Sequence, residues 1–150
     1  MGVEGCLACD LAEGRLALPG GRIHETEHWL VEHCVGPLGV GTLILKPKRH
    51  VVHLWELATE ESQELGPLLR DASSVAAELT SPDQAYVGLW SHSGGVPVHI
   101  HFVVQPVTRT LMDELDSFGP RLQFAMFEAN ELPPADEVEA FADRARAAFA

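Results

Sequence analysis

Two histidines stand one residue apart in the otherwise apolar segment VPVHIHFVVQP, residues 96–106. Because side chains alternate between the two faces of a β-strand, His99, His101 and Val103 are predicted to share one face of this segment. The opposite face is wholly apolar. The histidine Cα atoms would be roughly 7 Å apart, so both rings could face one metal ion or one phosphate. The alternative is a pair of half-exposed histidines without a chemical role.

A second group with chemical potential lies near the N-terminus, where Cys6 and Cys9 form a Cys-x-x-Cys pair. Such a pair commonly binds a metal or acts as a redox centre. Redox pairs usually open a helix after a strand, and no strand precedes this pair, so a metal half-site is the favoured interpretation. A tetrahedral zinc ion would need two further ligands, commonly histidines. The remaining cysteine, Cys34, is interpreted as a small buried apolar residue.

The apolar pattern predicts an α+β fold, an antiparallel sheet with helices packed on it, in a single domain over residues 1–150. In chain order the predicted elements are a hairpin over residues 22–33, a strand over 41–46, a helix over 59–79, strands over 85–91 and 97–105, and a helix that begins near Asp136. The three histidines of the hairpin, His33 among them, are expected on its solvent side. Residues 92–95 are predicted to form a turn.

The charge of the chain limits its partners. Its 22 acidic and 10 basic residues give a formal net charge of -12, which argues against a nucleic-acid-binding face. No apolar run approaches the roughly 18 residues of a membrane span, so no membrane partner is expected. The N-terminal sequence lacks the pattern of a secretion signal, and a cytoplasmic location is therefore expected.

Taken together, these segments resemble the histidine triad (HIT) family of nucleotide hydrolases and transferases. The resemblance rests on CLACDLAEGR at the start, GTLILKPKRH over residues 41–50 and VHIHFVVQP over residues 98–106, which occur in the family's order. It implies an α+β sheet with helices, usually a homodimer, and a small-molecule nucleotide as ligand. It also implies that the middle histidine, His101 by position, attacks the α-phosphorus to give a nucleotidyl-histidine that water or another acceptor resolves.

The same resemblance implies a structural zinc ion bound by Cys6, Cys9, His50 and His99, which leaves His101 free as the nucleophile. In a competing arrangement His99 and His101 both bind the metal, and no nucleophile remains. His50 has an alternative role at the phosphate, beside the basic residues that surround it.

Two residues, Lys48 and Ser93, are predicted to contact the substrate. The cluster formed by Lys46, Lys48 and Arg49 is the densest positive patch of the chain, and it is equally consistent with a solvated loop.

The chain departs from the family pattern at several positions. Val103 occupies the third histidine position, and Gly95 and Val96 replace polar residues that the family uses on the phosphate. The loss of one electrostatic donor from such a site can cost on the order of a hundredfold in rate. Three functions therefore stay open, namely a nucleotide hydrolase or transferase, a catalytically weak nucleotide-binding module, and a zinc-stabilised interaction protein. His92 and Ser93 are candidates to replace a missing polar group.

Overall fold

The computed structural model describes residues 2–149. Its helices are α1 (Leu7–Ala12), α2 (Thr59–Thr80), α3 (Arg109–Leu115), α4 (Pro120–Ala129) and α5 (Ala135–Phe149), with a 3-10 turn at Leu54–Glu56. Its strands are β1 (Arg22–Glu25), β2 (Trp29–His33), β3 (Leu43–Pro47), β4 (Gln84–Leu89), β5 (His92–Ser93), β6 (Val96–Pro97) and β7 (Phe102–Val107).

The main sheet has five strands in the order β1-β2-β3-β7-β4, and each neighbouring pair is antiparallel. Strand β7 lies between β3 and β4, with Val103 opposite Ile44 on one side and Gly88 on the other. The predicted α+β architecture is confirmed. The strand that follows the two histidines therefore lies within the sheet, and β4 lies at its edge.

Helices α2 and α5 cover one face of the sheet. Leu43 and Leu45 of β3 are fully buried against this layer, as alternation along the strand requires. The buried Trp29 also contributes to this core, and its indole N–H donates to the carbonyl of Glu61 at 2.8 Å. The N–H of Ala58 donates to the Glu61 carboxylate at 2.7 Å, which satisfies a free donor at the start of α2.

The opposite face of the sheet carries a smaller apolar cluster, in which Val103 and Val107 of β7 pack with Leu122 and Met126 of α4. Lys46 of β3 also points to this face and contacts α1. None of the helices that the structure describes has the length and apolarity needed to cross a bilayer.

The structure differs from the predicted elements around the two histidines. Strand β7 begins at Phe102 rather than at residue 97, because the backbone N–H groups before it form hydrogen bonds with other segments of the chain. The N–H of Val98 donates to the carbonyl of Ser91 at 3.1 Å, and that of Ile100 to the carbonyl of Val51 at 2.8 Å. The turn predicted over residues 92–95 is tighter, since β5 and β6 pair directly across Gly94 and its neighbour.

Two further differences concern helices and a histidine. Helices α1, α3 and α4 were not predicted. In α4, the exposed Phe124 and Phe127 interrupt the apolar stripe that Leu122 and Met126 would otherwise define. The prediction for His33 was wrong, because its side chain is buried. Its Nδ1 lies 2.8 Å from the carbonyl of Cys34, and its Nε2 accepts the N–H of Gly41 at 2.8 Å.

Candidate functional site

Four side chains from three parts of the chain converge at one end of the sheet. They are those of Cys6, Cys9, His50 and His99, and one ligand atom from each lies within 4.8 Å of every other. Cys6 precedes the first turn of α1 and Cys9 lies within it, so the helix presents both thiols on one side. His50 follows β3 and His99 precedes β7. The structure thus brings together the four residues that were predicted as metal ligands, and His101 is outside the cluster.

The distances in this cluster fit a tetrahedral metal ion. A zinc ion with Zn–S bonds of about 2.3 Å and Zn–N bonds of about 2.0–2.1 Å separates neighbouring sulfur and nitrogen ligands by about 3.6 Å. The Cys9 sulfur lies 3.3 Å from Nδ1 of His50 and 3.3 Å from Nδ1 of His99. Two thiols and two imidazoles also form a common donor set of structural zinc sites. These residues could therefore hold a metal ion.

The environment of His99 suits a metal ligand. Its ring is buried, and this burial lowers its pKa from 6.5 to about 4, which keeps the imidazole neutral near pH 7. Its Nε2 lies 2.9 Å from the carbonyl of Pro47, so the N–H is placed on Nε2 and the lone pair on Nδ1 faces Cys9. A backbone carbonyl behind a metal-binding histidine commonly fixes the tautomer in this way.

Burial has the opposite effect on the thiol of Cys9, whose pKa it raises. The neutral thiol is therefore favoured when no cation is bound. Because the thiolate is the form that binds metals, metal binding at this cluster should release a proton.

A buried ion pair fixes the position of α1 on the sheet. The Nζ atom of Lys46 lies 2.7 Å from Oε1 and 2.9 Å from Oε2 of Glu32, and both side chains are almost fully buried. The same ammonium donates to the carbonyl of Ala8 at 2.7 Å. Ala8 lies between the two cysteines, so this contact anchors the cysteine-bearing helix to β3.

His101 is held differently from His99. Its Nδ1 lies 3.1 Å from the carbonyl of His99, which can only accept, so the N–H of the neutral ring is placed on Nδ1. Nε2 then carries a lone pair. The backbone N–H of His101 donates to the hydroxyl of Ser91 at 3.2 Å, which fixes the main chain at this point. The half-buried ring lines an open cleft with a volume of about 700 Å³.

The cleft brings His101 together with some of the other predicted residues. His92 and Ser93 line it, as do Val103 and Phe127. Lys48 is not among its lining residues in the described part of the chain, and its ammonium lies 2.9 Å from the Glu25 carboxylate.

The basic cluster predicted around residues 46–49 is therefore not an open positive patch. Lys46 is buried with Glu32, Lys48 is paired with Glu25, and Arg49 contacts the carboxylate of Glu61 at 2.9 Å.

Sequence reasoning missed two residues that position the site. Glu32 is a buried carboxylate that pairs with Lys46 beneath α1, and the signal available in the sequence was an acidic residue within the otherwise apolar start of β2. Ser91 follows β4 and carried no signal, since its role depends on the return of the chain to His101.

The comparisons with known proteins bear on the fold. No protein-family model and no curated protein matches the sequence. Among solved structures, a Hit-like protein from Bartonella henselae has a TM-score of 0.75 at 17% identity, with 98% of each chain covered. A Zn-bound histidine triad family protein from Mycobacterium smegmatis has a TM-score of 0.70 at 22% identity, covering 99% of this chain and 95% of that one.

The chain has the fold of histidine triad proteins. A hypothetical histidine triad nucleotide-binding protein from Sulfolobus tokodaii has the same fold, with a TM-score of 0.71, 17% identity and coverage of 96% of this chain and 91% of that chain. The resemblance stated from the sequence is confirmed at the level of the fold. Within this histidine triad fold, the cleft is bordered by His99, His101 and Val103.

Proposed function

We propose that the protein binds a nucleotide in the cleft and cleaves its phosphate linkage through a covalent bond to His101. The observation that carries this proposal is the contact between Nδ1 of His101 and the carbonyl of His99. It fixes the tautomer and directs the unprotonated Nε2 away from the main chain. A neutral imidazole held in this way is a nucleophile for phosphorus.

The proposed reaction has two steps. In the first, Nε2 of His101 bonds to the α-phosphorus, and the bond from phosphorus to the leaving group breaks. The positive charge that develops on the ring is stabilised by the Nδ1–H bond to the carbonyl of His99. In the second step, water attacks phosphorus and gives up a proton, the P–N bond breaks with its electron pair going to Nε2, and the neutral ring is restored.

The metal cluster has a structural role in this proposal. A zinc ion bound by Cys6, Cys9, His50 and His99 would supply no group to the reaction. It would fix the ring of His99, and the carbonyl of this same residue orients His101. The Zn-bound histidine triad structure from Mycobacterium smegmatis supports zinc as the ion.

The form of the cleft supports a nucleotide as ligand. Its volume of about 700 Å³ is within the range of roughly 300–1,000 Å³ that small-molecule pockets occupy. Leu38, Ile44 and Phe127 give its walls an apolar character suited to a base. Dinucleoside polyphosphates and nucleoside phosphoramidates are the substrate classes that we propose, with Ser93 as a contact at the phosphate.

Val103 favours a second candidate function. Its side chain faces the cleft where a third imidazole would hold the phosphate oxygens, and valine has no hydrogen-bond donor. A protein that binds nucleotides but turns them over slowly would have this arrangement.

A homodimer and a cytoplasmic location complete the proposal. Strand β4 lies at an edge of the sheet, with Val87 and Trp90 48% and 66% exposed, so a second copy could pair with it. The three cysteines are free thiols, which suits a reducing compartment.

The test is a rapid-quench experiment with a radiolabelled dinucleoside polyphosphate or nucleoside phosphoramidate. The proposal predicts a nucleotide attached to His101, which is absent from the His101→Ala variant. His24→Ala is the matched control, because His24 stacks on Phe149 outside the cleft and should not affect the adduct. Tight binding without adduct or turnover would support the binding module, and an adduct that persists in His101→Ala would refute the assignment of the nucleophile.

A further inference from the structure

The cleft has no proton donor at Val103, where the family pattern has its third histidine, but it contains the imidazole of His92. Val103 is apolar, whereas His92 lines the same cleft as His101. His92 is exposed, and within residues 2–149 its side chain makes no hydrogen bond that would occupy its ring nitrogens. The ammonium groups of Lys46 and Lys48 do not supply a proton donor here, since both are paired with carboxylates.

A short hairpin determines the position of His92. His92 pairs with Pro97 and Ser93 with Val96, and the chain reverses through Gly94 and its neighbour, both with positive φ.

Ser91, the residue before this hairpin, is bonded on two sides. Its hydroxyl accepts the N–H of His101 and its carbonyl accepts the N–H of Val98. His92 therefore directly follows the residue that accepts the main-chain N–H of His101, and both histidines line the same cleft.

The geometry points to His92 as the general acid of the reaction, a role that rests on the proposed function. When Nε2 of His101 bonds to phosphorus, the bond to the leaving group breaks and the leaving atom takes a proton from the His92 imidazolium. His92 is then neutral. In the second step it accepts a proton from the attacking water while the P–N bond of His101 breaks, so that both histidines return to their starting state.

His92 is better suited to this role than Ser93, the other polar residue of the hairpin. A serine hydroxyl can donate a hydrogen bond but does not release its proton near neutral pH. An imidazole does so in this range, and general acid catalysis typically contributes about 10²–10⁴-fold to a rate.

The experiment compares two substrates that differ in their need for a proton. The leaving group of the 4-nitrophenyl ester of AMP departs as a stable anion, whereas the amine of an alkyl phosphoramidate of AMP must be protonated. In single-turnover rapid-quench experiments, His92→Ala should lower the rate of adduct formation at His101 from the phosphoramidate by about a hundredfold or more, and should leave this rate for the 4-nitrophenyl ester nearly unchanged. Added imidazole should restore part of the lost phosphoramidate activity.

His92→Gln separates proton transfer from hydrogen bonding, because glutamine can donate a hydrogen bond but no proton. It should be as slow as His92→Ala with the phosphoramidate, and His24→Ala should match the unchanged protein with both substrates. Equal losses with the two substrates, activity retained in His92→Gln, or no loss in His92→Ala would each overturn the role of His92 while leaving His101 as the nucleophile. If the unchanged protein forms no adduct at His101, the proposed function and this inference both fail.

Discussion

Replacement of Lys46 by methionine should destabilise the protein strongly, because it leaves the carboxylate of Glu32 buried without a partner. Lys46 and Glu32 are only 2% and 3% exposed, and the ammonium makes contacts of 2.7 and 2.9 Å with the two carboxylate oxygens. Removal of one member of a buried ion pair typically costs about 3–5 kcal/mol. This is a large part of the roughly 5–15 kcal/mol by which a domain is stable.

The assay is urea unfolding of Lys46→Met, Glu32→Leu and the double variant. Each single variant should lose about 3–5 kcal/mol of the free energy of unfolding, whereas the double variant should lose less than either, because no buried charge remains. Arg70→Met is the matched control. Arg70 and Asp71 form an exposed ion pair at 3.0 Å, and its loss should cost less than about 1 kcal/mol.

The same variant should weaken the metal site. Lys46 donates to the carbonyl of Ala8, between the two cysteines, so its loss frees α1 from the sheet. Loss of a group that supports metal ligands commonly costs about 10–100-fold in metal affinity, and competition with a chromogenic chelator would measure it. A Lys46→Met variant as stable as Arg70→Met, with unchanged zinc affinity, would refute the packing of α1 described here.

Three further predictions concern other parts of the molecule. Purified protein should contain zinc, and Cys9→Ser should lower its zinc affinity by more than about a hundredfold, as metal analysis and chelator competition would reveal. The pKa of His28 is raised by its hydrogen bond to Glu64, so its contribution to stability should be full below its usual pKa of 6.5 and lost as pH rises through the raised value. The pKa of Glu64 is lowered, since its burial is outweighed by hydrogen bonds from Thr26 and His28, so its contribution to stability should be present above the usual 4.5 and lost as pH falls through the lowered value. His28→Ala removes a hydrogen bond that contributes to both shifts. Its thermal unfolding temperature should therefore vary less with pH than that of the unchanged protein in both pH ranges. Val87→Lys should place a charge on the exposed edge of β4 and dissociate the proposed homodimer, as sedimentation would reveal; an unchanged sedimentation coefficient would contradict a homodimer formed through β4.

The fold could be predicted where the apolar period was regular. The apolar stripe of α2 and the short apolar run of β3 both pack against the main core, and in each case the local sequence pattern was sufficient for the prediction. Helix α4 was missed because it buries little more than Leu122 and Met126 and exposes two phenylalanines. A helix that covers only part of a sheet leaves a weak period in its sequence.

The metal-binding residues of the candidate site could be predicted from the sequence, but the residues that hold them in position could not. Cys6, Cys9, His50 and His99 could be grouped because residue type, spacing and resemblance agreed, and the structure brings them together. The positioning residues act through contacts between parts of the chain that are far apart in sequence. Glu32 under α1 is such a case, and no local pattern could reveal its partner.

The stereochemistry of the reaction at phosphorus tests the central claim most directly. A nucleotide substrate made chiral at the α-phosphorus with sulfur would be hydrolysed in ¹⁸O-water, and the configuration of the product determined by ³¹P NMR. Attack by His101 followed by attack by water inverts phosphorus twice, so the account predicts net retention. Net inversion would mean that water attacks directly, and it would contradict a covalent intermediate on His101.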